Sequence, residues 1–222
     1  MKKYYEAYDE RYKTIHEKGF SWSSDIETPI VLKTIKKYNI QKNDSLLEIG
    51  CGEGRDANKL LDLGYNLLAT DISPEAIRYC QSINSKNAKQ FRVLDCLSDD
   101  VNDRYDFIYA VAVIHLLVLN EDRQKFYSFI YEHLKKNGLA LICSMGDGKI
   151  EMQTDIDGAF VLQKREHPSG EVDVAATSCR MISFDNFRKE IINAGLIIVE
   201  EGITESLPEF NSLMFAVVRK KD

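Results

Sequence analysis

Leu46-Leu47-Glu48-Ile49-Gly50-Cys51-Gly52-Glu53-Gly54-Arg55 is the stretch that decides the fold. An apolar run carrying one acid reads as a buried strand, and a helical pattern follows from Arg55. Glycines stand at alternate positions between them, at 50, 52 and 54. Glycine lets backbone approach a ligand with no Cβ in the way. The helix behind the turn directs its unpaired N–H groups into the same space. Strand, glycine turn and helix together read as the opening of a nucleotide-like binding unit in an α/β protein.

The alternation continues outward from there. Strands are expected near 45–49, 65–70, 90–94, 106–110, 139–144, 196–200 and 213–219. Helices are expected over 55–63, from Ser73-Pro74 to Ile83, from Asn120 to Lys136, and from Ser183 to Gly195. Gly64 and Gly138 read as helix stops, and acids at 121 and 122 with lysines at 135 and 136 suit the helix dipole. Residues 1–40 read as a polar helical cap, with Thr28-Pro29 opening its second helix. Residues 146–182 break the rhythm and read as an insertion. Within it, a hairpin is expected between Phe160–Glu166 and Val172–Ile182. Repeated strand–helix units with right-handed crossovers imply a Rossmann-like, doubly wound, mostly parallel sheet. Ligands of such sheets bind beyond the carboxyl ends of the strands. One domain over residues 1–222 is expected.

The bulk properties narrow the class. Hydrophobic residues make up 44% of the 222 and charged residues 29%, ordinary values for a globular chain. A net charge of −6 argues against a broad nucleic-acid surface, which needs clustered Lys and Arg. The first residues carry no apolar run of the signal-peptide kind. The longest apolar run, Ala110 to Leu119, contains His115 and is too short for a bilayer. Cys51, Cys80, Cys96, Cys143 and Cys179 form no CxxC pair. Free thiols in a reducing cytoplasm are expected, with no metal site. Nothing in the sequence sets an oligomeric state.

Two acids accompany the glycine turn. Asp71 closes the second strand, 21 positions after Gly50, where an acid accepts hydrogen bonds from ribose hydroxyls. Asp95, with Cys96 beside it, follows the third strand and is placed to meet an adenine amine. A P-loop is excluded, because no G-K-[ST] follows the glycines. A dinucleotide fingerprint fits poorly, since the third glycine falls at 54 and position 55 is Arg. Glu48 would repel a pyrophosphate, yet would suit a cationic ligand.

Taken together, these residues resemble the class I S-adenosylmethionine-dependent methyltransferases. Leu47 to Gly54 looks like that family's first motif, Ala69-Thr70-Asp71-Ile72-Ser73 its acidic second, and Leu94-Asp95-Cys96 its third. Tyr105 to Leu116, with His115, is similar to the fourth. The likeness covers residues 44–145, and 183–219 suit the last helix and strands. It implies a seven-stranded sheet of order 3-2-1-4-5-7-6, the seventh strand antiparallel. It also implies S-adenosyl-L-methionine as cofactor and S-adenosyl-L-homocysteine as product. Glu48, Gly50, Cys51, Gly52 and Gly54 would line the methionine end of the cofactor. Asp71 would hold the ribose and Ile72 would pack on the adenine. Asp95 and Cys96 would border the adenine edge, and the backbone at Ala110 and Val111 would approach the methionine amino group.

The acceptor is less legible. The N/D-P-P-[YF] signature of many amine-methylating relatives is replaced here by Ala110-Val111-Ala112-Val113. This disfavours an exocyclic-amine acceptor, while the aromatic N-terminal arm, the small size and the acidic balance lean toward in-line methyl transfer to a small molecule. His115 titrates near neutral pH and is the candidate base, with a packing or positioning role as the alternative. Tyr5, Tyr12 and Trp22, among the aromatics of the N-terminal cap, are candidate acceptor contacts, or else anchors of that cap. Arg165 or Arg180 would suit an anionic acceptor, or pair on the surface. His133 is expected to face solvent. A nicotinamide-dependent oxidoreductase and a non-catalytic S-adenosylmethionine-binding module are the other readings.

Overall fold

The computed structural model describes residues 2–204, 210 and 212–221. Helices α1 (Ala7–His16) and α2 (Pro29–Lys37) precede the first strand, β1 (Ser45–Ile49). Then come α3 (Arg55–Asp62), β2 (Asn66–Asp71), α4 (Pro74–Ile83), β3 (Phe91–Val93), β4 (Tyr105–Val111), α5 (Asn120–His133) and β5 (Leu134–Met145). The insertion carries β6 (Met152–Gln153), β7 (Leu162–His167), β8 (Gly170–Ala175) and β9 (Arg180–Met181). Helix α6 (Phe184–Asn193) leads to β10 (Leu196–Ile203) and β11 (Leu213–Lys220).

Seven strands form one sheet in the order β3-β2-β1-β4-β5-β11-β10. β11 runs antiparallel to both its neighbours, and the other pairings are parallel. The expected order and the antiparallel seventh strand are both present. Strands β1 and β4 are apolar on both faces because helices cover both. Leu47, Ile49 and Ile108 pack with Phe126, Ile130 and Phe187 on one side. Leu46 and Phe107 pack with Val31, Leu60 and Ile77 on the other. Each such fully buried side chain contributes roughly 1.5–3 kcal/mol. β1 lies between β2 and β4, so the chain's winding reverses there and a crevice opens at the strand ends. Among the described residues, no helix is long and apolar enough to cross a membrane.

Several local expectations need correction. Helix α5 stops at His133 rather than Lys136, because Leu134 pairs with Tyr105 at the foot of β4. Gly138 is no helix stop. It lies within β5, where a Cβ would approach the carbonyl oxygens of Tyr105 and Asp106 to 3.0 Å. His133 is buried, not solvent-facing: it pairs with Asp100 at 3.1 Å and lies 3.2 Å from the Asp103 carbonyl. The hairpin is β7 with β8: it runs further toward the turn than expected, to His167 and Gly170, and stops short at its open end, at Leu162 and Ala175. Phe160 has φ 69°, which no strand continues through, and β9 leaves to pair with β6. Thr28 precedes Pro29 as expected, yet its hydroxyl bonds Asp56 at 2.7 Å instead of capping α2. Ser73 does cap its helix, accepting from Ala76 N–H at 3.0 Å.

Candidate active site

A cleft of about 1150 Å³ opens over the carboxyl ends of β1, β2 and β4, roofed by the N-terminal arm and the insertion. Pockets for one small ligand span about 300–1,000 Å³, so this cleft has room for two. Its floor is the glycine turn. Gly50 has φ 72°, and a Cβ there would lie 2.3 Å from Val113 Cγ2. Gly52 has φ 54°, and its Cβ would lie 2.8 Å from the Tyr12 hydroxyl. Side chains at these two positions would collide with the floor and the roof of the cleft respectively.

Asp71 locks this turn. Its two carboxylate oxygens accept from Gly52 N–H and Ser73 N–H, each at 2.8 Å. Each oxygen retains a further lone pair for a ligand hydroxyl. Burial pushes the Asp71 carboxyl above its usual range, opposed by these backbone bonds. Glu48 is 3% exposed and accepts from the Tyr109 hydroxyl at 2.9 Å. Burial, then the charge of Asp56, push its carboxyl well above the carboxylate range. Asp95 accepts from Leu97 N–H at 2.9 Å, and from Lys3 and the Tyr5 hydroxyl. Burial acts to raise the Asp95 carboxyl, but the Lys3 hydrogen bond outweighs it with its other partners and holds the group below its usual value.

Of the expected cofactor residues, Glu48, Gly50, Cys51, Gly52, Asp71, Ile72, Asp95, Cys96 and Val111 all wall the cleft. Gly54 and Ala110 do not. A Cβ on Gly54 would point at Cys80 on α4, behind the turn, and Ala110 is packed in the core below the cleft. The expected acceptor residues Tyr5, Tyr12, Trp22 and His115 also line the cleft. Among the described residues no cluster of three or more His, Cys, Asp or Glu is arranged to hold a metal ion.

Glu53 has a part that its place in the glycine motif does not reveal. Its carboxylate accepts from Trp22 N–H at 2.7 Å and Ser23 N–H at 2.6 Å. It also lies 2.8 Å from His16 Nε2, while His16 Nδ1 lies 2.8 Å from Glu75. The turn therefore holds the N-terminal arm over the cleft.

His115 sits on a 3-10 turn, Ile114–Leu116, entered through Ala112 at φ 56°. A left-handed non-glycine residue is a strained one, and such residues gather at functional sites. Arg123, fully buried, holds the turn by donating to the carbonyls of Ile114 at 2.7 Å and Leu117 at 3.1 Å. Glu190 neutralises Arg123 at 2.8 Å. His115 is 4% exposed and its Nδ1 has no hydrogen-bond partner among the described residues. Burial, with the Arg123 charge, pushes its pKa down to about 3. The imidazole is therefore neutral at physiological pH. Arg180 is occupied elsewhere, donating to the Val118 carbonyl and Asn120, both at 2.7 Å.

Comparison with known proteins agrees with the fold. Residues 47–140 match the family model described as a methyltransferase domain. The ubiquinone biosynthesis O-methyltransferase of Rickettsia canadensis is 27% identical over 118 residues, 52% of this chain and 49% of that protein. The chain spans about half the length of the curated relatives it matches. The CcbJ methyltransferase from Streptomyces caelestis superposes with a TM-score of 0.72 at 14% identity, both chains covered in full. The 1,6-didemethyltoxoflavin-N1-methyltransferase of Burkholderia thailandensis, solved with 1,6-didemethyltoxoflavin and S-adenosylhomocysteine, gives 0.69 at 14% identity over 95% of this chain and 85% of that one. At such identities the structures share the fold.

Proposed function

We propose, from the match of residues 47–140 to a methyltransferase domain, that the chain moves a methyl group from S-adenosyl-L-methionine to a small-molecule acceptor by in-line displacement. The observation that carries this reading is Asp71. It stands at the end of β2, tied to the glycine turn through Gly52 N–H, with a wall of the cleft as its outlook. A ribose diol suits its remaining lone pairs. Asp95, Cys96 and Ile72 suit an adenine, while Glu48, Gly50, Cys51 and Gly52 suit the methionine end. The bound cofactor supplies a methyl group made electrophilic by its sulfonium.

The chain's own work is then to bind, to align and to exclude water. The N-terminal arm, held by Glu53, closes the cleft from above. Tyr5, Tyr12 and Trp22 face the acceptor. His115, neutral and weakly basic, serves to position the acceptor through a hydrogen bond, and suits a nucleophile whose proton is easily lost or absent. The low basicity also favours, as a second reading, a module that holds the cofactor without transferring methyl. A nicotinamide-dependent oxidoreductase is disfavoured by Glu48 and Arg55 at the turn. The five free cysteines support a cytoplasmic location.

Calorimetric titration tests the reading. S-adenosylhomocysteine should bind saturably and NAD should not. Asp71→Ala should weaken S-adenosylhomocysteine binding by about tenfold or more, the scale of a lost charge-assisted hydrogen bond. Absence of S-adenosylhomocysteine binding to the unaltered protein would sink the proposal. A screen of small acceptors with labelled cofactor then divides enzyme from binder.

A further inference from the structure

We propose that the acceptor is an anion, a small molecule whose carboxylate or phosphate group is recognised by Arg11 and Arg165 in the acceptor half of the cleft. The inference rests on the methyltransferase reading above and names the substrate class for that same cleft.

Arg11, on α1, is 4% exposed. Its guanidinium lies 4.7 Å from the ring centre of Tyr8 and 4.6 Å from that of Trp22. It donates to the Ala175 carbonyl at 2.8 Å and to Thr177 Oγ1 at 3.4 Å. Among the described residues it forms no ion pair. Buried guanidinium groups are ordinarily matched by a carboxylate. Arg123 shows the usual arrangement in this same chain, paired with Glu190.

Arg165, exposed to solvent, adds a second charge. It stands opposite Val172 in the hairpin, on the face that meets Ile15 of α1, and it lines the cleft. It too makes no ion pair among the described residues. Burial, and the neighbouring charge of Arg165, weaken the hold of Arg11 on its proton. Two like charges set near each other, one of them desolvated, are unfavourable until an anion joins them. Arginine is suited to that partner, because its planar fork matches a carboxylate or phosphate with two parallel hydrogen bonds.

Around the glycine turn the buried acids differ from the two arginines. They are already held by the chain: Glu53 by His16, Asp71 by Gly52, Asp95 by Lys3 and Asp56 by Thr28. A second kind of vacancy lies in the acceptor half. Ser178 Oγ and His115 Nδ1 are buried in the cleft wall with no hydrogen-bond partner among the described residues. Buried polar atoms are nearly always satisfied, so a polar acceptor supplies what both lack. Trp22, stacked on His167 at 5.8 Å, offers a planar apolar wall beside the arginines.

The test titrates benzoate, phenyl phosphate and the neutral benzamide into the protein saturated with S-adenosylhomocysteine. At least one anion should bind about tenfold or more tightly than benzamide, and the better of the two identifies the oxyanion. In Arg165→Gln that preference should collapse, while S-adenosylhomocysteine affinity stays unchanged. Equal affinity for all three probes, no binding of any, or a preference that survives Arg165→Gln would overturn the proposal. Failure of S-adenosylhomocysteine itself to bind would instead remove the methyltransferase reading beneath it.

Discussion

Adding one methyl group at Gly50 should damage the floor of the cleft. The new Cβ would sit 2.3 Å from Val113 Cγ2 on a backbone with φ 72°. Gly64 makes the comparison, with φ 84° and nothing within 4 Å of its Cβ position. Gly64→Ala should therefore cost only backbone strain, about 1 kcal/mol. Gly50→Ala should cost about 1–3 kcal/mol more, since Val113 must also give way. Thermal melts of the two variants check the difference. His115 offers a second residue-scale test. Its pKa in the fold is about 3, below the ordinary 6.5, so below pH 6.5 the unfolded chain takes up a proton that the fold refuses. The associated stability is present above pH 6.5 and is lost as pH falls from there toward 3. The slope approaches about 1.4 kcal/mol per pH unit. His115→Gln should remove that component, read as a flatter dependence of the urea midpoint between pH 7 and 5.

At the scale of elements, the N-terminal arm is the part most dependent on one anchor. Glu53 receives Trp22 N–H, Ser23 N–H and His16. Further along, Tyr4 donates to Asp122 at 2.7 Å and Lys3 reaches Asp95, so the arm crosses from the glycine turn to the far side of the cleft. Trp22 is the only tryptophan in the chain. Glu53→Ala should loosen the arm without unfolding the sheet. Tryptophan emission should shift to the red, and the amides of Trp22 and Ser23 should exchange about tenfold faster or more. The amide of Leu47, in the centre of the sheet, should keep its protection. An unchanged emission spectrum would show that the arm is held from elsewhere.

Across the whole molecule, the two apolar layers of the sheet are separate from the small cluster of Ile15, Val172 and Val174 under the hairpin. The ends of the hairpin also meet. Phe160 N–H donates to the Ala176 carbonyl at 3.0 Å, and Ala176 N–H to that of Val161 at 2.7 Å. Residues 162–175 can thus be replaced by a two-residue turn without stretching the chain. The excised protein should fold, less stable by about 2 kcal/mol from exposing Ile15. Its affinity for S-adenosylhomocysteine should change by less than about threefold, within the spread expected of distant independent sites. Methyl transfer should be lost, because Arg165 goes with the hairpin. Loss of S-adenosylhomocysteine binding would mean that the two halves of the cleft do not stand apart.

By itself the sequence determined the alternation of strand and helix, the glycine turn and the position of Asp71; the strand order followed only from the family resemblance. These rest on short-range rules: apolar period, glycine where a Cβ cannot fit, and an acid at a set distance along one βαβ unit. Even the corrected elements show where such rules end. Lys135-Lys136-Asn137-Gly138 reads as a helix terminus, but the pairing of Leu134 with Tyr105 draws that segment into the sheet. His133 looks like a surface residue until the loop before β4 folds against it through Asp100 and Asp103. Only the tertiary structure decided the acceptor half. Arg11 and Arg165 lie far apart in the chain; Arg165 is one of two arginines whose place in the sequence suits an anionic acceptor, and Arg11 carries no local signal. They share a cleft because β7 and β8 pack on α1, burying one guanidinium where no carboxylate of the described residues reaches it.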